Sequence, residues 1–404
     1  MRIENREFST LLIMKFCFKG LNFFAVLVLA VVSAFAADEQ KGKVEQKSEQ
    51  KAEQQGQQKT QVDYCGIIDL PTTWTKDNSP YRITGDLQIS HAARLTIEAG
   101  VEVHIVPGET CGETKQIDWA DSTYVSIKVF GSLIMRGTAK DPIRILPENH
   151  IPGKIQWDGI RLARKDRTQI QIEYVHIMGA NRAIYAMFSR FNIGNSLFIG
   201  NGTGVWLDNE GDVSVYNSVF TENLSAGVYI RNSRPAVAAN IFYKNSSFGI
   251  WSDSRPSPRI RNNLFFENAD TDCRFCPVGI ARIIKSEDSY FPTDKFGNIF
   301  SDPIFVGSEK EKIMEKRDLS LSTPIKNVRD TALQKVYEKA QGNPPPEAKP
   351  SQANAQPQLF RLSKYSPGIN AAPKTDFFKN SDDNRSDIGL YGGRPNRFDK
   401  VIAF

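Results

Sequence analysis

The sequence predicts an all-β protein: a single-stranded, right-handed parallel β-helix of about ten coils, with an amphipathic helix inserted near the C-terminus. Two observations predict it. The first is a set of columns in register. Phe198, Phe220, Phe242 and Phe265 recur at intervals of 22, 22 and 23. Asn201, Asn223, Asn245 and Asn268 follow each Phe by three residues, and Ile193, Val215, Val237 and Ile260 precede each by five. Gly204, Gly227 and Gly249 open the next unit, each followed by Val205, Val228 or Ile250. The second observation is the make-up of a unit. Short apolar or β-branched runs such as Gly-Val-Tyr-Ile (227–230) and Ile-Phe-Tyr-Lys-Asn (241–245) are separated by Gly, Asn, Ser or Pro. A unit of this length suits three short strands and three turns. It contains no helical period and no Leu-x-x-Leu-x-Leu signature of leucine-rich repeats.

The elements follow in order. Lys15 and Lys19 precede an apolar run, Phe23 to Val32, that ends at Ala34-Phe-Ala36, the pattern of a secretory signal peptide over residues 1–36. A lasting membrane helix is the alternative, although the run falls short of the ~20 residues that span a bilayer. Residues 37–62 are Gln, Glu and Lys with cancelling charges, a disordered linker. Residues 63–306 hold the β-helix with its entry segment. Leu95 to Ile105 reads as two strands about a Gly turn, and Ile127–Ile134, Ile143–Ile145, Trp157–Leu162 and Ile170–Ile172 extend the stack. Stacked at about 4.8 Å, coils from Ile83 to Phe305 would make a rod on the order of 45–50 Å long. Residues 307–358 are an insertion. Thr323 and Pro324 are set to start a helix over 323–341, whose apolar face would carry Ile325, Val328, Ala332, Leu333, Val336 and Tyr337, before a Pro-rich linker. Residues 359–404 form a closing segment packed on the rod.

Arg94-Leu-Thr-Ile-Glu-Ala-Gly-Val-Glu-Val103, Gly131-Ser-Leu-Ile-Met-Arg-Gly-Thr138 with Pro142-Ile143, and Trp157-Asp-Gly-Ile160 resemble secreted bacterial right-handed β-helix repeat proteins of the pectin-lyase-like fold. Asp302-Pro-Ile-Phe305, Ser366-Pro-Gly-Ile369 and Asp387-Ile-Gly-Leu-Tyr-Gly-Gly393 are similar to the closing segment of that group. The resemblance covers about Thr73 to Phe305 and Leu359 to Arg394. It implies the fold and leaves the activity open, because this fold hosts lyases, hydrolases, epimerases and proteins without chemistry.

Four cysteines follow the leader: Cys65, Cys111, Cys273 and Cys276. In an oxidising compartment they read as two disulfides, Cys65–Cys111 and Cys273–Cys276. A four-thiolate zinc site is the alternative reading. Alternation within the strand after each Gly turns Val205 and Leu207, Val228 and Ile230, and Ile250 and Ser252 inward. The outward column is then Tyr185, Trp206, Tyr229 and Trp251, with Arg161 one coil earlier. Beside it run Met187, Asp208, Arg231 and Asp253.

Two readings of this strip stay open. Rings flanked by Asp and Arg could bind the sugars of a polysaccharide. Alternatively, the rings shelter one another and Asp208–Arg231–Asp253 is a surface salt-bridge ladder. Catalysis on a uronate-rich polymer, by a lyase or glycoside hydrolase, would fall to Asp208, Arg231 and Asp253. The Gly-His-Gly and Arg-Ile-Lys motifs of polygalacturonases are missing, so the reading leans against an enzyme. Four scattered His give no shared metal site. No cofactor is expected; calcium at Asp382–Asp387 is the alternative to a plain turn there. A net charge of +5 excludes nucleic acid as the natural partner. The expected protein is an exported, extracytoplasmic monomer without a transmembrane helix after processing, which meets a polysaccharide or a cell-surface partner and does not turn it over.

Overall fold

The computed structural model describes residues 63–107, 124–163, 169–209, 212–253, 257–284, 291–322, 360–372 and 387–391. These residues form a parallel β-solenoid whose short strands line three faces. One face is an 8-stranded parallel sheet that begins at Thr72–Trp74 and ends at Arg259–Arg261. The other two faces share the Tyr81–Ile89 strand, whose first half pairs with Glu102–Ile105 and whose second half pairs with Ser126–Val129. Every pairing between successive coils is parallel, as a chain that advances by one coil per turn requires.

The solenoid has about eight turns, not ten. The difference lies in the early coils. Leu87 pairs with Ile127 and Ile127 with Ile160, separations well above the 22-residue repeat. Dividing the chain by the repeat length therefore overcounts. The stack also starts earlier than expected, because Asp63–Ile68 already pairs with the Tyr81–Ile89 strand.

The sequence columns become columns in space. Phe198, Phe220, Phe242, Phe265 and Phe300 stack inside the rod at 4.9, 5.1, 5.0 and 5.5 Å, with ring planes within 12° of parallel. Ile193, Val215, Val237 and Ile260 line the neighbouring inner wall. At the corner that follows the Phe strands, the Asn201 side-chain amide donates to the Asn223 carbonyl oxygen at 3.2 Å; Asn223 donates to Asn245 at 2.9 Å, and Asn245 to Asn268 at 2.8 Å. Each also donates to a main-chain carbonyl of the preceding coil, so a fully buried polar corner is satisfied. Gly227 must lack a side chain, since a Cβ there would lie 2.8 Å from both the Gly249 carbonyl oxygen and the Phe242 ring.

A second amide file was not visible in the sequence. Asn240 donates to Asn263 and Asn263 to Asn298, at 3.0 and 3.1 Å. Ser218 and Ser196 continue it in earlier coils through main-chain contacts, so the column mixes residue types and its regularity is hidden. Both files run one way and both end on a carboxylate: Asn268 donates to Asp272 at 2.8 Å, and Asn298 to Asp294 at 2.9 Å.

The expected helix over 323–341, the leader, the 37–62 linker and Cys111 lie outside the described residues. A different helix, α1 (Glu309–Ser322), precedes the expected one. It is charged along most of its length and none of residues 309–318 is buried, so no apolar stripe announced it. Its start is a variant of a capping box: the Ser308 hydroxyl accepts from the Glu311 N–H at 3.2 Å, and the Glu311 carboxylate accepts at 2.5 Å from the N–H of Gly307, one residue before the cap. Asp318 ties it to the C-terminal segment by accepting the Tyr365 hydroxyl and pairing with Lys364 at 3.6 Å.

The C-terminal segment straps the outside of the rod. Ala372, Ile388 and Leu390 cover an outer column of Leu197, Val219, Ile241, Leu264 and Ile299, forming a second apolar core. Corner residues hold the strap: Asn195 donates to the Leu390 carbonyl at 2.9 Å, Asn262 to Ala371 at 3.2 Å, and Gly389 to Ala239 at 2.8 Å. Asn195, Ala239 and Asn262 all have positive φ, the conformation that turns each coil at this corner.

Candidate functional site

The outward strip is in register as the alternation requires. Arg161 pairs with Tyr185, Tyr185 with Trp206, Trp206 with Tyr229, and Tyr229 with Trp251. Neighbouring rings are 6.1, 4.1 and 4.9 Å apart and tilted or edge-on, not parallel like the inner phenylalanines. Guanidinium groups flank the column near both ends. Arg182 lies 4.2 Å over the Trp206 ring and 5.3 Å from Tyr185; Arg274 lies 5.0 Å from Trp251 and 4.9 Å from Phe248.

Burial divides the strip. Tyr185 and Tyr229 are buried although their strand positions face outward, while Trp206 and Trp251 are half-buried. Each tyrosine hydroxyl donates to the aspartate one coil on, Tyr185 to Asp208 at 2.9 Å and Tyr229 to Asp253 at 3.1 Å. Burial first, and then the Asp208 carboxylate, push the Tyr185 hydroxyl up to about 12. It therefore stays a donor at any physiological pH. The Trp206 and Trp251 indole N–H groups are buried without a hydrogen-bond acceptor among the described residues. Sugar hydroxyls cannot reach those nitrogens, so recognition here would rest on ring faces and guanidinium groups.

The acids do not form the Asp208–Arg231–Asp253 ladder that one of the two readings requires. Arg231 grips Asp208 with both Nε, at 2.8 Å, and a terminal nitrogen. Asp253 is bound to Tyr229 instead. Asp208 is fully buried while Arg231 is half exposed, and the Asp208 hydrogen bond raises the arginine above its ordinary value. A fully buried carboxylate held by three hydrogen bonds from Arg231 and Tyr185 is closed to a substrate. Arg161, one coil beyond Tyr185, is fully buried and held by Asp158, with Nε 2.6 Å from the carboxylate. Sequence alternation found the strip, but Asp158 lies before its strand and gave no signal as the partner of Arg161.

Cys273 and Cys276 are joined by a disulfide, which removes them as zinc ligands. Cys65 is disulfide-bonded too, and its expected partner Cys111 lies outside the described residues. Among the described residues no trio of His, Cys, Asp or Glu is gathered as metal ligands, and no helix is long and apolar enough to cross a membrane. Of the acidic loop considered for calcium, only Asp387 is described, and it accepts the Asn370 N–H at 2.9 Å. Residues 148–291 match the family described as "Right handed beta helix region". No curated protein and no solved structure matches the chain.

Proposed function

We propose that this chain, a right-handed parallel β-helix through its described core, is an exported, non-catalytic protein that binds polysaccharide along the Tyr185–Trp206–Tyr229–Trp251 strip. The observation that carries the reading is a division of labour. Asp208 is buried and tied to Tyr185 and Arg231, which leaves Asp253, exposed and holding the Tyr229 hydroxyl, as the strip's one accessible acid, while the half-buried Trp206 and Trp251 sit between the cations Arg182 and Arg274. Aromatic faces bordered by guanidinium groups suit an extended chain of sugars carrying carboxylates, hence a uronate-rich polymer. The disulfide fits an oxidising, extracytoplasmic setting.

Retention on immobilised polyuronate tests this. Trp206→Ala and Trp251→Ala should each weaken it by roughly threefold to tenfold, the range for losing one aromatic contact. No new reducing ends or unsaturated products should appear from the polymer. Products that vanish in Arg231→Ala would instead establish a lyase or hydrolase. Retention unchanged in both Trp variants would reduce the strip to packing and leave a structural scaffold.

A further inference from the structure

A second surface feature lies just past the end of the strip. The Cys273–Cys276 disulfide closes the start of a loop whose other side is tied down by an antiparallel bridge between Ile284 and Thr293 and by the Ala281 N–H donating to Asp294 at 3.0 Å. Cys273, Cys276 and Ile280 pack against the core. The remaining apolar side chains turn to solvent: Phe275 is 70% exposed, Val278 88% and Ile283 49%. A loop held at both ends while presenting its bulky apolar groups outward is not a frayed segment. Burying those groups together would be favourable, so a cluster of them held outward suits a contact surface.

Within the loop the charge has one sign, although Asp270 and Asp272 precede it and Glu287 and Asp288 follow it. Residues 273–284 contain Arg274 and Arg282 and no acid. Lys295 lies across the loop, its side chain close enough to meet a Cβ at Gly279 at 2.5 Å. Arg274 stacks on Phe275 at 4.9 Å, so a cation sits beside an exposed ring. Exposed apolar side chains with cations beside them fit the headgroup layer of an anionic bilayer, where rings and aliphatic groups enter the interface and guanidinium groups stay with phosphates.

We infer that the Cys273–Ile284 loop is an interfacial anchor that inserts Phe275, Val278 and Ile283 into an anionic lipid surface. The anchor shares Arg274 with the polysaccharide strip, but Phe275, Val278 and Ile283 take no part in that strip, so substitutions at Val278 and Arg282 test the anchor alone.

The test uses the full chain carrying Val278→Trp and vesicles of brominated phosphatidylcholine with or without phosphatidylglycerol. The readout is local to the loop, so the apolar run in residues 23–32 does not confound it. The expected result is a blue shift and quenching beyond the wild-type response in anionic vesicles, both lost in neutral vesicles or at high salt. Arg282→Gln should weaken partition by about fivefold, the equivalent of about 1 kcal/mol for one cation near an anionic surface. A V278W response no larger than wild type in anionic vesicles overturns the proposal, and so does an equal response in neutral ones. A dimer that forms with concentration and is lost in Val278→Ser, without a vesicle response, would give the loop to a second copy and overturn it as well.

Discussion

Asn223 shows how much a single side chain does in this rod. Its amide donates to Asn245 and to the Phe198 carbonyl, and its carbonyl oxygen accepts from Asn201. A leucine of similar volume would leave several buried groups unpaired at once, at about 1–3 kcal/mol apiece. Asn223→Leu should therefore lower stability by several kcal/mol in urea denaturation, more than the same change at an exposed position. His176 gives a pH dependence. Burial first, with help from Arg144, pulls its imidazole down to about 4, below the ordinary 6.5. The unfolded chain thus takes up a proton before the folded one does. Stability is full above about pH 6.5 and is lost as pH falls from there to about 4, by of order 2 kcal/mol for a half-buried ring. His176→Gln should flatten this slope when urea midpoints at about pH 7 and about pH 4.5 are compared. The phenylalanine and asparagine positions could be read from the sequence because one residue type repeats. The Ser196–Ser218–Asn240–Asn263–Asn298 file could not, because serine and asparagine do the same job there.

Among the elements, the short strands were legible and what lies on them was not. Period-two alternation assigns each strand an inner and an outer side, and Val205, Val228 and Ile250 line the interior as it requires. Nothing in that period says whether an outer side is wet. Leu197, Val219, Ile241 and Leu264 are outward yet buried, because residues from far along the chain lie over them. Leu390→Ser should cost about 2–4 kcal/mol, as a large-to-small core change does, and should speed proteolysis within the strap. That outcome would show the C-terminal segment to be part of the folded unit, not a tail. Helix α1 escaped notice for a different reason. Ser308 and Glu311 do signal its start, but a helix charged on nearly every side is held by caps and by Asp318, not by an apolar face.

At the scale of the whole molecule, parallel stacking makes neighbours of residues about 22 positions apart, and this is why a one-dimensional pattern could locate a surface strip. It could not rank the strip's members by access. Tyr185 and Tyr229 are buried and Asp208 is sealed, so an equal platform of four rings becomes two tryptophans between two arginines. The coil count failed at the same scale, since long excursions between coils use up chain without adding height.

The aspartates at the ends of the two amide files have one more consequence. An amide passes a hydrogen on at one edge and receives at the other, so a row of them always leaves a spare donor at its leading end. Left open, that donor would invite a further identical layer, the growth habit of fibres. Asp272 and Asp294 have nothing to hand on, and each acts as a chemical full stop. Asp272→Asn keeps the shape but restores a donor, and should cost about 1–3 kcal/mol in urea denaturation. If seeded aggregation also rises in that variant, polarity along the column is what keeps one molecule from becoming a template for the next.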